Sequence, residues 1–406
     1  MALIVQKFGG TSVADADRIR EVADQVARNV RHGNQVILVI SAMGKETDEL
    51  LRLAGDVARL RPGREMDMLI TAGERKAIAL VAMALADKGL DAVSFTGSQI
   101  GFITDTNHMN AKILEVRPER LREALERGQV PVVAGAQGVS TDRDVTFLGR
   151  GGSDTTAVAI AHVMAADVCE LYTDVSGVYS ADPRLVPGAR RMAEVTFDEL
   201  LEMTATGCPK PAMRSVEFAR SYGVTLHVRS AFTWEPGTWV REETRESAVE
   251  EASVIAVTHD TSDAKVTVER VADHPGVAAS LFRRLAERGV NVDMIVQNVS
   301  LSGHTDISFT VPQDSFAESL ATCRSMLGDL GAKDVTGDEA VGKVSIVGSG
   351  MKSDPGVAAR MFEALGAAGV NIEMISTSPI RTSCVVRRDQ VETAVQVLHQ
   401  AFDLDA

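Results

Sequence analysis

Leu148-Gly149-Arg150-Gly151-Gly152-Ser153-Asp154-Thr155-Thr156 is the stretch on which the fold of this chain turns. A short apolar lead-in stops at glycines, a polar cluster follows, and a helical run of small and apolar residues begins at Ala157. Glycines let the backbone approach an anion closely, and the N–H groups at a helix start point at it. Arg150 supplies a planar fork for a carboxylate or phosphate. Ser153 and Asp154 stand where a helix N-cap is expected. A capped strand-to-helix turn with a surface arginine is the plainer alternative.

A second glycine turn shifts that balance. Lys7-Phe8-Gly9-Gly10-Thr11-Ser12 follows the first apolar run and precedes a helical pattern over residues 15–31. Two glycines and two hydroxyls make a phosphate-cradling turn, and a lysine at its lip suits charge building between phosphates during transfer. The spacing is neither a Walker A loop nor a dinucleotide fingerprint. Up to about residue 230, β-branched runs at 3–5, 36–40, 130–134, 168–172 and 225–228 alternate with helical patterns at 15–31, 73–88, 118–127, 154–165 and 197–205. That is the α/β signature, a mainly parallel sheet sandwiched by helices. The 36–40 run ends at Ser41-Ala42-Met43-Gly44, so three loops lie at carboxyl ends of strands, where ligands of open α/β sheets gather.

Composition narrows the partners. At 406 residues the chain exceeds one ordinary core. A net charge of −14, spread along the chain, argues against nucleic acid or an anionic membrane. Four cysteines with no C-x-x-C pair, and scattered histidines, suit a reducing compartment and no metal site of the protein's own. The N-terminus has no signal-peptide apolar region, and the longest helical apolar run, 77–86, is about half a membrane span. The expectation is a cytoplasmic protein.

From 233 to 253 the chain turns polar and acidic, which suggests a domain boundary that closes a first domain over 1–245. The remainder repeats itself. Lys265-Val266-Thr267 matches Lys343-Val344-Ser345, Pro275-Gly276-Val277-Ala278-Ala279 matches Pro355-Gly356-Val357-Ala358-Ala359, and Gly289-Val290-Asn291 matches Gly369-Val370-Asn371. Each copy reads as a βαββαβ unit, at 246–335 and 336–406, with Pro-Gly helix starts and Gly stops. Two such units make a small-molecule sensor more plausible than a scaffold, although duplication for stability alone is an alternative.

Two further stretches carry chemistry. Glu74, in Thr71-Ala72-Gly73-Glu74-Arg75, gains from the helix dipole, which is its plain reading. Its functional reading is a carboxylate for the ammonium of an amino acid. Thr173-Asp174-Val175-Ser176-Gly177-Val178-Tyr179-Ser180-Ala181-Asp182-Pro183-Arg184 joins an aromatic and an arginine suited to a purine and its phosphates, though an Asp-Pro turn explains part of it.

Together these motifs, with Phe95-Thr96-Gly97-Ser98-Gln99, resemble the aspartate kinases of the amino-acid-kinase fold family over nearly the whole chain, and the repeats look like that family's paired ACT domains. The resemblance implies phosphorylation of L-aspartate by ATP with Mg²⁺, early in lysine and threonine biosynthesis. It implies that Lys7 stabilises the transferring phosphoryl group and that Gly9, Gly10 and Thr11 line the phosphate path. Ser41, Thr47, Glu74, Arg150, Gly151, Gly152 and Ser153 would hold the amino acid, Glu74 its ammonium and Arg150 a carboxylate. Asp154 would orient the lysine and the metal shell. Thr173, Asp174, Tyr179, Asp182, Arg184 and Lys210 would hold nucleotide. Lysine or threonine would act as effectors at Asp273, Gly276, Ala278, Asn291, Asp293, Gln297 and Asn371. A homo-oligomer through the ACT domains, or a complex with a shorter regulatory chain, is implied as well.

Two places depart from the family pattern. In Cys208-Pro209-Lys210-Pro211-Ala212, the lysine expected on phosphate is displaced by one position, and a helix start at Pro211 is expected. In Ser376-Thr377-Ser378-Pro379-Ile380-Arg381, proline replaces a usual glutamate in what reads as a strand, so weakened or retuned feedback is expected. These departures keep two alternatives open: a paralogue acting on a related acidic amino acid, and an amino-acid sensor with weakened turnover.

Overall fold

The computed structural model describes residues 1–233, 235–242, 253–298, 303–349, 351 and 354–405. They form two compact units. The first comprises Met1–Val178, Arg191–Thr204 and Pro209–Ala248, and the second Tyr179–Arg190, Ala205–Cys208 and Val249–Ala406. The expected boundary at 245/246 lies outside the described residues. Among the described residues, no helix is long and apolar enough to cross a membrane.

The first unit is built on an eight-stranded sheet in the spatial order Glu194–Thr196, Thr238–Arg241, Leu226–Ser230, Val168–Thr173, Leu3–Phe8, Gln35–Ile40, Val130–Ala134 and Ala92–Phe95. Leu226–Ser230 and Thr238–Arg241 pair antiparallel, and the other neighbours pair parallel. The central strands are buried almost end to end. Helices on both faces require that, and it explains why these strands read as continuous apolar runs without polar alternation. Asp15 caps the helix Ala16–Arg31 by accepting from the Arg18 amide at 2.9 Å. The stripe Ile19, Val22, Ala23 and Val26 shares one core with Ala77, Ile78, Val81 and Leu85 of the helix Ala72–Asp87. A smaller sheet joins Ile113–Val116, Phe102–Thr104, Gln137–Ser140 and Val145–Phe147.

The second unit holds both repeats. The first repeat's sheet runs Ile295–Gln297, His304–Pro312, Asp263–Ala272, Asp334–Asp338, with helices Val277–Glu287 and Phe316–Ser325. The second repeat's sheet runs Ser253–Asp260, Val341–Ser349, Arg381–Arg387, Met374–Ser378, with helices Pro355–Ala367 and Val391–Ala401. Its outer strand, Ser253–Asp260, comes from within the span 246–335 expected for the first repeat and lies antiparallel to Val341–Ser349. The repeats exchange ion pairs reciprocally. Lys265 pairs with Glu373. Its counterpart Lys343 reaches Asp293 at 2.5 Å and Asp263 at 3.5 Å. Met294 and Met374, the equivalent methionines, meet in one apolar cluster with Val341 and Val385.

Three local expectations are corrected. The helix after Lys210 begins at Met213, with Ala212 as its N-cap, because the backbone of 209–212 turns to face Asp154. The helix Gly152–Val163 is capped by Gly151 in the left-handed region, at φ 76°, so Ser153 and Asp154 stand in its first turn. Pro379 lies in the turn between Met374–Ser378 and Arg381–Arg387 and is exposed. It therefore removes no ladder donor, and the backbone reason for altered feedback falls away.

Candidate active site

Lys7 is the centre of the first unit's site. It is next to last in the strand Leu3–Phe8 and only 5 % exposed. Its Nζ lies 2.5 Å from Asp154 Oδ1. Burial alone pushes the Asp154 carboxyl up, but the Lys7 charge and hydrogen bond, the Ala212 amide and the Lys210 charge together hold it below the usual range. The Ala212 N–H donates to Asp154 Oδ2 at 3.1 Å. The displaced Lys210 therefore acts electrostatically on the pair. Strand alternation gives the opposite face a second charged layer. Gln6 Nε2 donates to Glu170 Oε2 at 2.6 Å, Tyr172 OH to the same atom at 3.0 Å, and Arg229 Nη1 to Oε1 at 3.0 Å. Burial raises the Glu170 carboxyl, yet His227, Gln6, Arg229 and Tyr172 bring it to about 2. These groups leave Gln6 and its strand little freedom, and Lys7 inherits that rigidity.

The glycine turns interlock. The Gly44 N–H donates to Gly10 O at 2.9 Å, and a Cβ on Gly10 would stand 2.7 Å from Ala42 O and 2.9 Å from Gly44 O. Ser41 donates its N–H to Phe8 O at 3.1 Å, and Gly9 to Tyr172 O at 3.3 Å. The loop at 148–152 is held from outside: Arg214 donates to Leu148 O at 2.8 Å and to Ala111 O at 2.9 Å. Ser153 packs against Gly135, where a Cβ would meet its Oγ at 2.5 Å. Arg150 is exposed, and among the described residues no side chain pairs with it.

Glu74 lies in the first turn of Ala72–Asp87 and is 3 % exposed. Burial pushes its carboxyl from the usual 4.5 to about 7, with Glu46 adding to the rise and the Glu74 and Ala42 amides and Arg75 opposing it. Among the described residues its buried Oε2 has no hydrogen-bond partner. An orphaned buried carboxylate oxygen is costly unless a cation completes it. Gly73 packs on Ala42 and Glu46, tying this helix start to the Ser41–Gly44 loop.

The residues expected together are thus partly brought together. Lys7, Gly9, Gly10, Ser41 and Glu74 are tied through the turns above, Lys210 acts on the Lys7–Asp154 pair, and Gly151, Gly152 and Ser153 stand with Asp154 at the start of one helix. Thr11 is exposed in the turn Gly10–Val13, and Thr47 is half-buried at the start of Glu46–Val57. Thr173 donates its hydroxyl to Asp174 at 2.8 Å at the end of Val168–Thr173. Tyr179, Asp182 and Arg184 belong to the second unit, where Arg184 clasps Asp182 at 2.6 Å. Sequence reading missed Arg214 and Glu170; a lone arginine or glutamate in an apolar run carries no spacing signal that identifies its role. Of the effector candidates, Asp273, Gly276, Asn291, Asp293, Gln297 and Asn371 are exposed and Ala278 is half-buried. Gly276 caps the helix Val277–Glu287 at φ 96°.

The amino acid kinase family matches residues 2–230, and the ACT domain matches 265–326 and 344–402. The chain is 52% identical to the aspartokinase of Mycolicibacterium smegmatis, over all of this chain and 97% of that protein. It is 44% identical to the aspartate kinase of Synechocystis, whose crystal structure matches 99% of this chain and 70% of that one at a TM-score of 0.56. Escherichia coli aspartokinase III, solved with aspartate and ADP, shares the fold at 23% identity and a TM-score of 0.83, over 99% and 100% of the two chains.

Proposed function

The chain belongs to the aspartokinases of the amino acid kinase family, and from that premise we propose that it moves the γ-phosphoryl group of ATP onto the side-chain carboxylate of L-aspartate. A carboxylate oxygen attacks the γ-phosphorus, the bond to the bridging oxygen breaks, and ADP leaves with its charge. The attacking carboxylate is already ionised near neutral pH, so no general base is required. Lys7 neutralises charge at the transferring group, and Asp154 keeps it aimed. Catalysis is then positioning plus charge stabilisation.

The observation that carries this reading is the buried Lys7–Asp154 pair linked to interlocked glycine turns, with the orphaned Glu74 carboxylate in the same unit. Glu74 takes the substrate ammonium. Arg150, exposed and unpaired, takes a carboxylate, with Ser41, Thr47 and Ser153 around it. Gly9, Gly10, Thr11, Thr173, Asp174, Tyr179, Asp182, Arg184 and Lys210 serve the nucleotide. Among the described residues no three His, Cys, Asp or Glu side chains cluster for a metal. Mg²⁺ would be held mainly by phosphate oxygens and water, with Asp154 helping to order its shell, and would neutralise phosphate charge. The ACT pair reads as the effector site for lysine or threonine, at Asp273, Gly276, Ala278, Asn291, Asp293, Gln297 and Asn371, in a cytoplasmic homo-oligomer or a complex with a shorter regulatory chain.

A hydroxamate assay over a panel of acidic amino acids tests the proposal. Turnover with aspartate far above the other acids supports it. Turnover only with another acid points to a specialised paralogue, and no turnover with effector binding retained points to a sensor.

A further inference from the structure

The segment Tyr179–Arg190 is part of the regulatory unit, and it is fastened there by the far end of the chain. Ser180 is fully buried, and every polar group it has is used. Its N–H donates to Arg190 O at 2.8 Å, its carbonyl accepts from Val257 at 2.7 Å, and its Oγ accepts from the Arg190 N–H at 2.9 Å. The same Oγ lies 2.9 Å from Nε2 of His399, in the last helix, and 3.3 Å from Leu404 O. His399 is 1 % exposed, and its Nδ1 faces Asp405 Oδ1 at 3.3 Å. Asp405 also bridges Ala189 as an isolated antiparallel pair, and Gln396 donates to Leu185 O at 3.0 Å. Ala181 and Val186 enter the core of the second repeat with Leu398, Phe402 and Leu404.

The Ser180–His399–Asp405 geometry has the order of a nucleophilic triad, but a fully buried hydroxyl that already accepts a backbone N–H has no face for a substrate. It works as a clip. Burial pushes the His399 ring below its usual pKa, against Asp405 and with Arg190, so the ring is neutral. A neutral ring with its proton on Nδ1 donates to Asp405 and accepts the Ser180 hydroxyl at Nε2, which satisfies all three groups.

We propose that Ser180, His399 and Asp405 are positioning residues that fix the Tyr179–Arg190 loop and thereby set the affinity for ATP. The proposal rests on the reading that Asp182 and Arg184 in that loop hold the nucleotide. It makes the C-terminal helix of the second repeat a direct determinant of nucleotide binding, and Ser180–His399 the bond that transmits it.

Steady-state kinetics of the full chain test it, with ATP and aspartate varied separately. His399→Ala is expected to raise KM for ATP roughly tenfold while KM for aspartate stays within about twofold, because a misplaced loop harms only the ligand it holds. His399→Gln, whose amide can replace Nε2, is expected to restore most of the loss. Ser180→Ala, the milder change, keeps the test open if His399→Ala fails to fold, and should raise KM for ATP about threefold or more by the same argument. Equal rises in both KM values, or no rescue by glutamine, would mean a merely structural role and overturn the proposal. Asp182→Ala separates the two layers. If it raises KM for ATP while Ser180→Ala and His399→Ala do not, the nucleotide reading stands and the clip falls. If none of the three changes KM for ATP, the nucleotide reading of the loop fails and the clip falls with it.

Discussion

At the scale of single residues, the site is a contrast between two buried carboxylates. Asp154 has a cation at 2.5 Å and stays ionised; Glu74 has none and is pushed up to about 7. Lys7→Ala should lower kcat on the order of 10²-fold or more in the standard assay, since one fixed charge is lost where charge builds. A fall of less than about tenfold would show that the phosphate path runs elsewhere. Glu74 predicts a pH effect. Its native pKa lies above its usual 4.5, so the free chain loses stability as pH rises from about 4.5 through about 7, where the unfolded chain ionises first. Pairing with a substrate ammonium needs the ionised form. KM for aspartate should therefore rise about tenfold from pH 8 to pH 6, and Glu74→Gln should raise KM and flatten that dependence. A wild-type KM that is level across this range would remove Glu74 from the ammonium site.

At the scale of elements, the loops are as restrictive as the helices they start. Gly151 has φ 76°, and a Cβ there would stand 2.5 Å from that of Ala212. Gly151→Ala should cost roughly 1–2 kcal/mol for the left-handed backbone alone. It should also push Ala212 away, weakening the hydrogen bond that its N–H donates to Asp154. The expected readout is a lowered melting temperature together with a reduced kcat; a normal kcat would mean that the 212 backbone is not what orders Asp154. Helix and strand positions were legible because apolar periodicity and capping are local: Asp15, read as the start of the first helix, is its cap. The start at Met213 and the turn at Pro379 were not legible. Each depends on what the chain meets across space, Asp154 in one case and a paired strand in the other.

At the scale of the whole molecule, the duplicated half is held by exchange between its copies. Lys343 is almost fully buried between Asp293 and Asp263, both from the other repeat. Lys343→Ala should destabilise the chain by roughly 1–3 kcal/mol in denaturant unfolding, because the half-buried Asp263 is left without its cation. Adding Asp263→Asn should recover part of that loss in a double-mutant cycle. Simple additivity would show that the lysine contributes by packing alone.

By itself the sequence determined the α/β class of the catalytic half, the duplication of the other half, and the glycine turns with Lys7, Asp154 and Glu74. These are properties of period, spacing and residue type, and they are written in neighbours along the chain. Only the tertiary structure decided which strand completes the second repeat, which side chains pin the turns, and to which body the Tyr179–Arg190 loop belongs. Ser253–Asp260 crosses to Val341–Ser349, Arg214 reaches Leu148 and Ala111, and Ser180 finds His399 across 219 positions. Such pairings are selected by buried polar groups that must each find a partner, and no local pattern records where in the chain that partner stands.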